Sequence, residues 1–191
     1  MPKKVKQAKS QDPKTAFTNA KKRVVCATQE EVFHVLLRVR SENGRTIKDH
    51  KEMVTKKKVA FVGKMGAALG EAFIRALNEQ IQRGVNTYLF LTTREGWNGP
   101  YVTDQCLLRK VHSSLEVKYG DFIPRYYLSQ AATIKTWFEV TSLKRLTREE
   151  MNRIYVLSSG REIMSVIKST ATTFRVGVRE ISKSAQRHCC S

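Results

Sequence analysis

Asn86–Val111 reads NTYLFLTT (86–93), REGWNGP (94–100) and YVTDQCLLRKV (101–111). Residues 87–92 are apolar, aromatic or β-branched, as suits a strand covered on both faces. Gly96, Asn98, Gly99 and Pro100 supply or tolerate the backbone angles of a turn. The second run is again strand-like. The stretch is therefore expected to be two strands joined by a turn with Trp97 at its tip. The segments upstream are expected to be a tail and helices covering this sheet, and those downstream its continuation.

Upstream, residues 67–83 give the clearest helix. Leu69, Phe73, Leu77 and Ile81 recur every four residues, and Gly84 is placed to end the helix. Val59–Val62 reads as a buried strand followed by the turn GKMG (63–66). That turn lacks the spacing of a phosphate-binding P-loop. Residues 45–58 are charged and expected to be loop or frayed helix, with the run Lys56-Lys57-Lys58 as a solvated edge. Thr28-Gln29-Glu30-Glu31 has the form of a capping box. It predicts a helix with Val32, Phe33, Leu36, Leu37 and Val39 on one face, carrying His34 as a surface or packing residue and ending near Asn43-Gly44. Residues 22–27 (KRVVCA) suggest a short strand.

Downstream, residues 112–120 are loop-like, and Phe122, Tyr126 and Tyr127 form an aromatic cluster in a turn. TWFEVTSL (136–143) is a strand with Trp137 and Phe138 on opposite faces. Thr147-Arg148-Glu149-Glu150 is a second capping box, opening a helix to about Tyr155. A last helix carries Ile163, Val166 and Ile167, and TTFRVGV (172–178) closes as a strand. The fold class is α+β: a small, strongly bent β-barrel flanked by helices, with a disordered basic N-terminal arm.

The chain has 191 residues and a net charge of +18. Residues 1–23 carry eight Lys/Arg against one Asp, a net +7, and residues 177–191 a net +2, which leaves +9 on the body. The Lys-rich first 21 residues cannot bury enough apolar surface to offset their ordering entropy and are expected to be disordered, as is the tail after Glu180. A body basic in its own right points to a polyanion, above all nucleic acid, bound through phosphates. Cys26, Cys106, Cys189 and Cys190 show no metal or redox spacing. Neither a membrane-spanning run nor a signal-peptide core is present, so a soluble intracellular protein is expected. Pro2, Lys3, Lys4 and Lys6 resemble a nuclear localisation signal, which makes the nucleus a candidate compartment.

The four histidines are scattered, and no HxE, CxxC or paired-carboxylate phrase occurs. A non-catalytic protein with no metal or cofactor is therefore expected. KVAFVGKMG (58–66), ALNEQIQRGVNTYLFLTT (76–93), FIPRYYL (122–128), KTWFEVTSLKRLTREEMNRIYVLSSG (135–160) and TTFRV (172–176) resemble, in order and texture, the EVE/YTH-like group of the PUA-like superfamily. They are similar in particular to the EVE-like domains fused to McrB-type restriction proteins. The resemblance implies a bent barrel over 58–178 and a pocket for a flipped, often modified, base. It leaves 1–21 as arm, 22–57 as an added strand/helix element and 179–191 as a tail.

Such a pocket needs aromatic faces and a few polar groups for the base edge. Trp97, Tyr101, Tyr126, Tyr127 and Trp137 are the candidate faces, with Phe122 beside them; Asn98, Asp104, Ser158 and Ser159 are candidate edge readers. Lys64, Arg94, Arg109, Lys110, Arg125, Lys135, Lys144 and Arg145 are candidates for holding phosphates. The function expected is a module that reads an unpaired or flipped base in RNA or DNA, alone or within a larger assembly. The alternative is a structural RNA-binding component of a ribosome or other ribonucleoprotein, without a base pocket.

Overall fold

The computed structural model describes residues 31–39, 45–94, 100–168 and 173–180. The arm, the strand expected over 22–27, the tail, and Trp97 and Asn98 lie outside the described residues. The described chain forms an α+β unit. Its mostly antiparallel eight-stranded sheet runs β2 (Ala60–Gly63), β5 (Trp137–Val140), β4 (Tyr101–His112), β3 (Tyr88–Arg94), β1 (His34–Arg38), β8 (Thr173–Val178) and β7 (Ile154–Val156), with a short β6 (Lys144–Arg145) beside β4, and helices lie around it.

The hairpin at the centre is β3 (Tyr88–Arg94) with β4 (Tyr101–His112), in register from Tyr88↔Leu107 to Arg94↔Tyr101. Alternation sends Leu89 and Leu91 to one face and Phe90 to the other, and all are buried, so the sequence carries no polar face here. The twelve residues of β4 serve two partners. Its first half pairs β3, and its last residues pair β5 (Trp137–Val140) beyond a register shift between Leu108 and Lys110. β2 (Ala60–Gly63) pairs antiparallel with β5 and ends the sheet on that side. At the other end, β7 (Ile154–Val156) pairs β8 (Thr173–Val178). β2 and β7 do not pair, so the sheet is open and the expected closure into a small barrel is corrected.

The second correction concerns VFHVLLRV. The expected helix is strand β1 (His34–Arg38), inserted between β3, to which it is parallel, and β8. Val35 and Leu37 join the core on one face and Leu36 the core on the other. A continuous apolar run fits a buried strand as well as a helix, and pairing on both edges decides for the strand. Gln80 fixes its entry: it accepts from Phe33 N (3.0 Å) and donates to Phe33 O (2.8 Å) and Thr87 Oγ1 (2.7 Å). The 22–57 element thus contributes a central strand to the same sheet as 58–178.

Residues 45–57, expected to be loop or frayed helix, form the regular helix α1 (Arg45–Lys57), which buries Ile47 and His50 and ends at Lys58 with φ +63°. Helix α2 (Glu71–Gln82) ends as expected, with Gly84 at φ +78° and its N–H on Ile81 O. Asn78 exchanges two hydrogen bonds with the Val111 backbone, tying α2 to β4 just past the irregularity. Thr147 and Glu150 make both bonds of the capping box that opens α3 (Arg148–Asn152). That helix stops earlier than expected, because Ile154–Val156 is strand β7. Helix α4 (Ile163–Val166) is a single turn, and β6 (Lys144–Arg145) has no counterpart in the sequence reading.

Two 3₁₀ segments, Val117–Phe122 and Arg125–Thr133, replace the expected loop and turn. They close a third apolar cluster of Phe61, Ile123, Tyr127, Ile134 and Trp137 over β2 and β5. Trp137 and Phe138 do point to opposite faces, into this cluster and the main core respectively.

Candidate nucleic-acid interface

The residues expected to form a base pocket fall into separate places. Trp137 is fully buried, its Nε1–H donates to Ile134 O (3.1 Å), and Tyr127 lies edge-on at 5.4 Å. Tyr127 is buried too, and its hydroxyl donates to Gly63 O (3.1 Å). Neither ring has a face left for a base, so both are corrected to core residues. Of the adjacent tyrosines, Tyr127 is the inward one and Tyr126 the outward one, 37% exposed and 4.3 Å from its neighbour between ring centroids. Tyr101 lies at the far end of the hairpin, half-buried, with the Arg94 guanidinium 5.2 Å from its ring centroid. Ser158 and Ser159 are exposed in the turn after β7, at the opposite end of the sheet from Trp137. Asp104 is buried, and its Oδ1 accepts from Arg145 Nε at 3.0 Å, so it is committed to an internal ion pair and not to a base edge.

The expected phosphate contacts divide likewise. Lys64 is buried with its Nζ donating to Ala67 O, and burial lowers its pKa; it is corrected to a structural lysine. Arg109 and His112 both reach Glu139, at 3.4 and 3.1 Å. Lys144 binds Glu150 at 2.8 Å; that bond, with the Thr147 backbone N–H, pulls the Glu150 carboxyl below its usual range. Arg94 and Arg145 sit on Tyr101 and Asp104 as above. Lys110, Arg125 and Lys135 are exposed, with no carboxylate partner among the described residues.

A denser cationic site lies at the β7–β8 corner, which the sequence reading missed. Along β8, Phe174, Val176 and Val178 face the core beneath α3 and α4, so Arg175, Gly177 and the following Arg179 take the other face. Tyr155 on β7 stands opposite Gly177, and a Cβ at Gly177 would come within 2.5 Å of its ring. Tyr155 therefore lies across the glycine, half-buried, with the Arg179 guanidinium 5.4 Å from its ring centroid. Arg153 Nε donates to Arg179 O (2.7 Å), and Arg179 NH2 reaches Gly160 O (3.4 Å), drawing the next turn in beside them. Arg161 leaves that turn, whose closing bond is Val156 N to Arg161 O. Arg175 stacks on Phe33, 3.7 Å from the ring centroid. The alternation F-R-V-G-V-R is the sequence signal that would have revealed this face.

One guanidinium, Arg179, thus lies beside the half-buried Tyr155 ring, and Arg153, Arg161 and Arg175 stand on the adjoining strands and turn. Arg179 pairs with Glu162 at 3.5 Å, both about half-exposed, a contact worth little in water. No carboxylate pairs Arg153, Arg161 or Arg175 among the described residues. On this face α1 packs on β2 and α2 on β4, and α2 also reaches Phe33, beside Arg175, through Gln80 and Phe73.

Two shallow hollows of about 420 and 390 Å³ flank α2 and the loop after it, and neither is lined by an aromatic side chain. His50 is fully buried, its Nδ1–H donates to Thr46 O (2.8 Å), and burial holds the ring neutral. No group of three or more metal-ligating side chains occurs among the described residues, nor any helix long and apolar enough to cross a membrane. Comparisons with protein-family models, curated proteins and solved structures return no match.

Proposed function

We propose that this protein is a nucleic-acid-binding module without catalytic activity, which engages its target mainly through an open cationic surface. The observation that carries this is the β7–β8 corner, where Arg179 lies by the Tyr155 ring and Arg153, Arg161 and Arg175 have no carboxylate partner among the described residues. The +9 charge of the body and the +7 of residues 1–23 support it, because both attract phosphate at long range. Burial of Trp137 and Tyr127 favours the form of this reading without an enclosed base pocket, as in a structural component of a ribonucleoprotein. The resemblance to EVE-like domains supports a flipped-base form, for which Trp97, outside the described residues, is the remaining candidate face.

Binding of the full chain to labelled RNA and DNA oligonucleotides, single-stranded and duplex, with and without methylated bases, tests the proposal. Affinity is expected to fall steeply with salt, and removal of residues 1–23 is expected to lower the salt slope while leaving measurable binding. Absence of binding to every oligonucleotide at near-physiological salt would refute it. Strong preference for one methylated base, abolished by Trp97→Ala, would favour the pocket form instead.

A further inference from the structure

The geometry points to the β7–β8 corner as a stacking platform for single-stranded polynucleotide, with Tyr155 and the Arg175 guanidinium under the bases and Arg153, Arg161 and Arg179 on the phosphates. This inference rests on the nucleic-acid reading above and adds to it a place and a strand state.

The Tyr155 ring, Arg175 and Arg179 share one face. Strand alternation puts Arg175 and Arg179 two positions either side of Gly177, about 6–7 Å each way along the strand, with Tyr155 abreast of the glycine. The row is cation, aromatic, cation. An unpaired base offers a π-face to any aromatic ring or guanidinium plane, and the phosphates between bases offer charge to the arginines that flank them. A duplex hides its base faces in its own stack, so a flat ring on an open sheet discriminates against it. An acidic peptide would satisfy the charges but not the planar surfaces. Gly177 is part of the device: without a Cβ beneath it, Tyr155 settles flush on the sheet instead of standing off it. Arg175 is held ready in the same way, its guanidinium stacked 3.7 Å from the centroid of the buried Phe33 ring.

The test is fluorescence anisotropy with the full chain and four probes: 12-nucleotide oligo(U), oligo(dT), a 12-base-pair duplex, and polyglutamate of matched charge. Tyr155→Leu is expected to weaken oligo(U) or oligo(dT) binding roughly 5- to 140-fold, the loss of one stacked base, and the duplex much less. Tyr155→Phe should bind as the parent does. Gly177→Ala, which drives a methyl group into the ring, should weaken single-strand binding as Tyr155→Leu does. The double variant Arg153→Gln/Arg161→Gln, with its fold checked by circular dichroism because Arg153 also bonds Arg179 O, should lower the slope of log affinity against log salt by roughly 1.4, two phosphates on a single strand. The contrast between the two sugars tells RNA from DNA. If single strands bind but all three corner variants match the parent in affinity and slope, the platform is wrong and the broader reading survives. If no oligonucleotide binds, the broader reading falls with it. Polyglutamate binding equal to oligo(U), unaffected by Tyr155→Leu, would assign the corner to an acidic protein partner and overturn the inference.

Discussion

Trp137→Ala separates a core residue from a binding residue. Trp137 is fully exclosed from solvent, stacks edge-on against Tyr127 and meets the bare backbone of Gly63 opposite it. Its indole N–H is bonded to Ile134 O, so the substitution removes packing and orphans a buried carbonyl together. Truncating a buried Trp to Ala costs about 3–5 kcal/mol, out of a total stability of roughly 5–15 kcal/mol. For a chain of this size that is a fall in Tm of about 6–20 °C. Urea and thermal melts followed by circular dichroism give both quantities. The second readout is affinity for oligo(U), measured well below the variant's melting range, which should stay near that of the parent. A loss of stability under about 1 kcal/mol, combined with a tenfold or greater loss of affinity for one base, would refute the core assignment and restore a pocket lined by Trp137. Trp137→Phe, which keeps a ring against Tyr127, should recover most of the lost stability.

Thr147→Ala removes the hydroxyl that accepts from Glu150 N at 3.2 Å and should cost about 1 kcal/mol in a urea melt, whereas Thr147→Ser should cost little. Arg145→Ala leaves the buried Asp104 carboxylate without its partner and should destabilise by several kcal/mol, while Lys144→Ala, at an exposed pair, should cost roughly 0–1 kcal/mol; equal effects would show that the Asp104 pair is not the internal contact described. His34 is buried against Tyr88 and Phe90, and desolvation holds its pKa down to about 4, so the unfolded chain takes up its proton first as pH falls. Its contribution is therefore intact above pH 6.5 and is lost between about 6.5 and 4, up to roughly 3 kcal/mol, in the same direction as the buried His50; stability that stays flat from pH 7 to 4.5 would contradict this.

The hairpin from Tyr88 to His112 was legible because strand and turn signals coincide there, and α2 because its apolar spacing and terminal glycine agree. Leu36 shows where reading fails. Its neighbours Val35 and Leu37 serve the opposite core, so VFHVLLRV has no alternation to declare a strand, and only the distant partners Phe90 and Phe174 do so. The open sheet was illegible for a related reason: whether the end strands β2 and β7 meet depends on pairing order, which no local pattern carries. Among site residues, Asp104 reads as a polar strand residue, and nothing nearby announces that Arg145, forty-one positions on, will neutralise it.

The two aromatic residues that decide the functional reading occupy the same local device. Trp137 stands opposite Gly63 and Tyr155 opposite Gly177, each ring lying over a glycine on the neighbouring strand. At Gly63 a Cβ would meet Trp137 at 3.0 Å and Ile134 at 2.9 Å; at Gly177 its three nearest neighbours would all be atoms of Tyr155, from 2.5 Å. The difference lies in the layer above. The 3₁₀ segments bring Ile123, Tyr127 and Ile134 down onto Trp137 and seal it. Over Tyr155 lies Arg179, itself bonded to Gly160 O, and the ring stays half-buried. A flat ring on a glycine is a core element where apolar residues cover it and a stacking surface where arginines flank it. The same pairing therefore argues for packing at one end of the sheet and for binding at the other.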